Sequence, residues 1–517
     1  MLHKRSTLLV IFSLFILAVM SITIGCGNNG TDDGVDRGGS LRIATGDDLM
    51  SMDASFASGG LTNAIGFTIF GTIIKLDKAG NLQPELAESW NVDSSGKSIT
   101  FNLRDDVKFH DGSKFNATAV KWNWDRILDD NVGSALKSRF DAVESIEIVD
   151  SSTIKVNLKF PFRPFMSFLT ELPGMIHSPD AVNKYNGYSD RNSDYGKNPI
   201  GTGAFEFGEW TVGNRITVTK NADYFVDGSP YLDKIIWQII PDSNVRLSMV
   251  RTGESDIVEE LRPQDIPLVE SSSMGKVNIW DGGRSDNAGL RQPRGPYTNA
   301  DLRAAIAYSI DREAYVDVMY DGHARPAYTF IQSGWAHDAS IKPYTLDIAK
   351  AKEHLNAAGY DGSDMPIYCA GEDQQFCEVL QAMLGESGLK IKITTLPPGT
   401  NWSSFVEGTS HFNRLRWRPT PDPHLNLRNI FGTGGGQNKQ EYSNAAVDSA
   451  LEIAAKEFDV AKAKPLYDAI QTQITTDASF VHLAWTKWIT GLNKNVQNFQ
   501  IIPDLDLRAR DTWISDE

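Results

Sequence analysis

The chain has 517 residues, with 66 Asp or Glu against 50 Lys or Arg, for a formal net charge of −16. That length exceeds the roughly 250–300 residues at which one hydrophobic core stops growing, so more than one domain is expected. The acidic balance argues against nucleic acid as a partner, and three cysteines exclude a disulfide-built scaffold or a cluster held by four thiolates.

At the N-terminus, Lys4 and Arg5 precede an apolar run over residues 8–24, and Gly25 stands before Cys26. A basic start, an apolar stretch and a small residue at the cut describe an export signal. A cysteine directly after the cut makes 1–25 resemble a bacterial lipoprotein signal, with Cys26 as the lipidated residue. Thr23 stands where such signals usually carry leucine. The alternative is an uncleaved helical anchor, since about 17 apolar residues are at the short limit for crossing a bilayer. Both readings place the body outside the cytoplasm, and the first ties it to the cell membrane by lipid. Residues 26–39 are Gly-rich and polar and read as a flexible tether.

From residue 40, β-like runs alternate with helical windows. SLRIAT (40–45), SITFNLR (98–104), TIKVNLKF (153–160) and RITVTKN (215–221) read as strands, and the nearly all-apolar KIIWQII (234–240) as a central one. Asn116 or Thr118 is placed to cap a helix through Val120, Trp124 and Ile127, and Ser243 or Asn244 one that Gly253 closes. The second half is more helical. Asn299 or Asp301, Asp311 and Asp347 open three helices, and two longer ones fit 445–456 and 460–476. Strands return at 390–396 and 413–418. The fold class expected is α/β in more than one lobe.

Chemistry is hard to find. No phosphate-binding loop, HExxH or GxSxG is present, and the histidines form no ligand pattern, so neither a metal nor a cofactor is expected. GTGGGQN (432–438) follows no strand–helix unit and reads as a mobile loop. The carboxylate pairs Asp105 with Asp106 and Glu259 with Glu260 read as solvated turns or helix starts. Cys369 and Cys377, in an oxidising compartment, fit either a local disulfide or two buried thiols.

PELAESWNVDSSGKSITFNLRDDVKFHDGSKFNATAVKW (84–122) resembles the signature of the large extracytoplasmic solute-binding proteins of ABC importers, peptide/nickel-binding type (family 5). NPIGTGAFEF (198–207), PYLDKIIWQIIPD (230–242), LRAAIAYSIDREA (302–314) and DIAKAKEHLNAAGY (347–360) follow in the family's order. The resemblance implies a two-lobed periplasmic-binding-protein-like fold with an inserted domain and a ligand cleft between lobes that close on a hinge. Carried over, it gives lobe I as 40–65, 196–283 and 490–517, the inserted domain as 66–195, and lobe II as 284–489. It implies a monomeric, non-enzymatic protein that hands a solute to a permease and its ATPase. A ligand-presenting sensor subunit and an extracytoplasmic hydrolase are the alternatives.

In the family's peptide binders, a lobe II strand ends in a pattern like W-x-x-D-x-x-D-P, whose first aspartate meets the peptide's ammonium. Here the stretch is RLRWRPTPDP (414–423), with Pro419 or Thr420 at that place, depending on the alignment. Neither neutralises an ammonium. Alternation along a strand instead puts Arg414, Arg416 and Arg418 on one face, and guanidinium groups match carboxylates bidentately. Arg284, Arg291 and Arg294 open the same lobe, and Trp417 or Trp335 offers a stacking face. The expected ligand is therefore anionic or peptide-like, held by Arg284, Arg291, Arg414, Arg416, Trp417, Arg418 and Trp335.

Overall fold

The computed structural model describes residues 35–56, 60–397, 399–501 and 507–515; the signal segment and Cys26 lie outside them. β1 (Ser40–Thr45) buries Leu41, Ile43 and Ala44 completely, as its apolar character requires. The inserted domain follows, with β2 (Ala87–Val92), β3 (Ser98–Leu103), β4 (Val143–Asp150) and β5 (Thr153–Leu158). These form an antiparallel sheet in the order β2-β3-β5-β4. The helix Ala117–Leu128 packs on it with Val120, Trp124 and Ile127 buried. Asn116 is its cap, accepting from the Ala119 N–H at 3.0 Å.

The chain then adds β6 (Phe205–Thr211), β7 (Arg215–Lys220), β8 (Lys234–Ile239), β9 (Ile257–Val258) and β10 (Gly275–Trp280). Lobe II carries β11 (Ser285–Leu290), β12 (Ala324–Pro326), β13 (Phe412–Trp417) and β14 (Phe480–Thr486) before β15 (Trp488–Asn493) returns to lobe I. Lobe I is a seven-stranded sheet, β10-β15-β9-β1-β8-β7-β6, in which β1 runs parallel to both β8 and β9. Lobe II is built on the antiparallel sheet β12-β14-β11-β13. The fold is thus mixed α/β with two lobes. β15 begins at Trp488 and pairs within the seven-stranded sheet.

Local differences have local causes. The helix Ser243–Thr252 is capped by Asp242, one residue earlier than expected, whose carboxylate accepts from the N–H groups of Asn244 and Val245. Arg312–Tyr320 ends on Asp321 in the left-handed region (φ 50°), ahead of Gly322. Cys369, ending the strand Met365–Cys369, and Cys377, in the helix Gln374–Glu386, form a disulfide with Cα atoms 6.4 Å apart.

Two crossings join the lobes, one through residues 281–284 and one through Lys487 alone. They lie side by side. The Arg284 N–H donates to Thr486 Oγ1 at 2.8 Å and the Thr486 N–H returns a bond to Arg284 O at 2.9 Å. The inserted domain is fastened to lobe II by Arg163, which ion-pairs with the buried Asp422 and donates to Tyr467 Oη at 3.2 Å.

Candidate ligand cleft

In sheets of this kind, ligand sites form beyond the carboxyl ends of parallel strands. β1 ends on Thr45, with Gly46 and Asp47 beyond it, and Glu259 and Glu260 lie beyond β9. They face Trp488 and the lobe II residue Arg418 across a narrow cavity of about 30 Å³. Arg418 fills this gap. Its guanidinium lies 5.4 Å from the centre of the Trp488 ring, and a Cβ on Gly60 would come within 2.3 Å of its Nη1. The run Gly59-Gly60 therefore has a steric purpose at its second residue, where an ordinary side chain would displace the arginine.

Two wider cavities continue from this gap. On one side, Arg418 and Trp417 line about 180 Å³ together with Trp280, Ser285, Trp335 and Lys78. On the other, Glu260 and Trp488 help to line about 170 Å³ with Arg284, Arg416, Lys487 and His323. Three indole N–H groups on these walls, those of Trp280, Trp417 and Trp488, are buried without an acceptor among the described residues. A buried donor left unpaired costs about 1–3 kcal/mol, so such groups mark where an acceptor is wanted.

The charges are mixed. Burial pushes the Glu259 carboxyl up to about 7, against a lowering bond from the Thr45 hydroxyl. Arg284 pairs with Glu260 at 3.3 Å. Arg416 is exposed, Lys487 is half-buried, and neither has a carboxylate partner among the described residues. Glu259 is thus not the solvated residue expected from the sequence. The signal that identifies it is its place immediately after a short buried strand, Ile257–Val258, where a carboxyl has little water to turn to.

The row of three arginines is broken up by partners far along the chain. Arg414 is buried and donates to both Asp286 oxygens, at 2.9 and 2.8 Å, to Tyr320 Oη at 2.7 Å and to Asp373 at 3.3 Å. Burial would raise the Asp286 carboxyl, but Arg414 and the hydroxyls of Tyr315 and Tyr320 hold it below the usual carboxylate range. All three guanidinium nitrogens of Arg414 donate to partners inside lobe II, which removes it from the expected ligand set. Because β13 ends at Trp417, Arg418 leaves the alternation and joins Trp417 on one cavity wall, while Arg416 lines another. Arg291 is likewise corrected. Buried, it pairs with Glu441 and the Phe405 carbonyl, away from these cavities. Trp335 lines the 180 Å³ cavity, with Arg163 4.7 Å over one face of its ring and Tyr467 meeting it edge-on.

The family model "Bacterial extracellular solute-binding proteins, family 5 Middle" matches residues 81–439. The chain belongs to that family. It is 29% identical over 484 residues to the glutathione-binding protein GsiB of Escherichia coli O1:K1, covering 91% of this chain and 93% of the relative. It superposes with a TM-score of 0.79 on the periplasmic binding protein DppA of Helicobacter pylori in complex with the peptide STSA, at 25% identity over 93% of this chain and 98% of that one. The substrate-binding protein CtaP of Listeria monocytogenes gives 0.84 at 23% identity, over 93% and 100%. The protein is therefore the extracytoplasmic solute-binding component of an ABC import system, serving a permease and its ATPase. Among the described residues no helix is long and apolar enough to cross a membrane.

Proposed function

We propose that the solute is a small, peptide-like zwitterion carrying at least one carboxylate, and that acyl chains on Cys26 hold the monomeric protein at the membrane while it waits for this cargo. The observation that carries the ligand reading is the pair of cations without a carboxylate partner among the described residues, Arg416 and Lys487, beside Arg284 on a cavity wall between the lobes. A carboxylate arriving there meets charge that the fold has not neutralised. Arg418 and the indole donors of Trp417 and Trp488 extend the acceptor-seeking surface, and Asp47 and Glu260 offer the opposite charge to an ammonium. The last role fits the missing aspartate of the family pattern. Thr420 donates to the Asp422 carbonyl at 2.8 Å, and Asp422 is committed to Arg163. The relative named for glutathione and the structure holding STSA support a peptide-like cargo.

Native mass spectrometry of protein purified from its own host reads the retained solute, and calorimetry measures its affinity. Arg416→Ala and Lys487→Ala are each expected to weaken binding by about 1.5–3 kcal/mol, as loss of a charged hydrogen bond does. Unchanged affinity in both variants refutes the assignment. Mass analysis of the mature N-terminus checks the anchor: an acylated Cys26 supports it, and an intact leader rules it out.

A further inference from the structure

A wider cavity, about 990 Å³, lies between the inserted domain and lobe II, and the function above leaves it unused. It is at the upper end of the range for small-molecule sites. Phe160, Phe162 and Phe168 enter it from the inserted domain and Leu425 from lobe II; Phe160 is 42% exposed. Phe162 meets Phe160 and Phe168 at 6.1 and 6.3 Å between ring centres and His424 at 5.9 Å, so the wall is an aromatic cluster of the kind that packs a further ring.

The glycine run lines the same chamber. Residues 434–436 bring no side chains to its wall, and a Cβ on Gly435 would come within 2.3 Å of Asn429 O. The loop is pinned: Asn438 Nδ2 donates to Gly432 O at 2.9 Å and to Tyr442 O at 2.7 Å. Three side-chain-free residues in a pinned loop keep the space open.

Two residues, Thr420 and Asn426, line both this chamber and the 180 Å³ cavity that holds Trp417 and Arg418. The chamber's own walls are held together by the buried Arg163–Asp422 pair and by the Arg163 N–H bonded to Ala455 O at 2.8 Å. It is thus formed without any contribution from lobe I, unlike the cavities around Arg418.

We infer that this chamber receives the apolar, aromatic end of the solute, reached past Thr420 and Asn426, while the solute's charged head is held at Arg416 and Arg418. The inference rests on the peptide-like reading and narrows it: the cargo is longer than a dipeptide or bears a bulky ring at the end remote from its bound carboxylate. Head and tail then have separate hosts, one that closes and one that is preformed.

The test is calorimetry on the whole mature protein with Ala-Ala, Ala-Ala-Phe and Phe-Ala-Ala. At least one aromatic peptide is expected to bind tenfold or more tighter than Ala-Ala. Glu452→Trp and Lys456→Trp, at exposed positions on the chamber wall, set an indole at its edge and crowd it without touching the head site. Each is expected to abolish the aromatic gain and leave the Ala-Ala affinity unchanged. An aromatic gain that survives both substitutions, or no gain in the unaltered protein, overturns the chamber's role while the head site stands. No binding of any of the three peptides overturns the peptide-like reading itself, and the chamber inference with it.

Discussion

Arg414→Ala separates structural from ligand-facing arginines. The guanidinium makes two bonds to Asp286 at 2.9 and 2.8 Å, one to Tyr320 Oη at 2.7 Å and one to Asp373 at 3.3 Å, all in the interior of lobe II. Truncation leaves the Asp286 carboxylate fully buried with, among the described residues, only the Tyr315 and Tyr320 hydroxyls as side-chain donors, at 2.6 and 2.5 Å. Removing one partner of such a pair costs about 3–5 kcal/mol, because the other charge stays behind without compensation. The exposed Arg416, two residues on, should behave in the opposite way: Arg416→Ala stays within about 0.5 kcal/mol in stability and loses affinity instead. Urea midpoints followed by tryptophan fluorescence give the first quantity, and calorimetry with the tightest tripeptide gives the second. A double variant, Asp286→Asn with Arg414→Met, should cost less than the two single changes added together, since it removes both charges. If Arg414→Ala unfolds at the unaltered urea midpoint yet binds weakly, the internal pairing is not what fixes that arginine and the division fails.

Two further outcomes follow from the fold. Reducing the bond between Cys369 and Cys377, eight positions apart, or replacing both by Ser, should destabilise lobe II by roughly 2–3 kcal/mol on the chain-entropy account, read as a lowered urea midpoint with and without reductant. Acid should unfold the protein early: burial holds His110, His177 and His424 down at about 4 and His482 at about 3. The unfolded chain takes up these protons near 6.5, so the stability they confer is complete above that pH and is lost as pH falls towards 4, by about 2 kcal/mol per fully buried ring at pH 5. Glu259, raised to about 7, works the other way and favours the fold less as pH rises through 7. Four rings outweigh one carboxyl, so a melting temperature unchanged from pH 7 to pH 5 would contradict the burial of these histidines.

What was legible in the sequence is what short-range pattern encodes. The apolar runs at residues 40–45 and 234–240 predict strands, and both lie in the middle of the seven-stranded sheet. Asn116, Asn299, Asp311 and Asp347 announce helix starts because a cap is a contact across three residues. The arginine row failed for the opposite reason. Arg414 is decided by Asp286, 128 positions away, and Asp422 by Arg163, 259 positions away, and no local pattern carries such pairings. Glu259 and the three indoles of the cleft share this limit, since they acquire meaning only when the crossings bring β10 and β15 beside lobe II. The family blocks, in contrast, are mostly core and turn residues, which is why they fix the architecture and leave the ligand open.

The single residue between β14 and β15 couples the two halves of the molecule like teeth on one gear. Trp485 sits opposite Ser285 in one sheet and Trp488 opposite Trp280 in the other, so the two ladders meet in fixed register at the crossing, short of the bulge between Asp286 and Asn287. A residue inserted or deleted at Lys487 would turn every side chain of β15 to the wrong face. Relatives that vary freely in loop length elsewhere are therefore expected to keep this spacing, and angular travel between the halves at this crossing must come from torsion along the paired strands, the looser stretch being residues 281–284 of the other crossing.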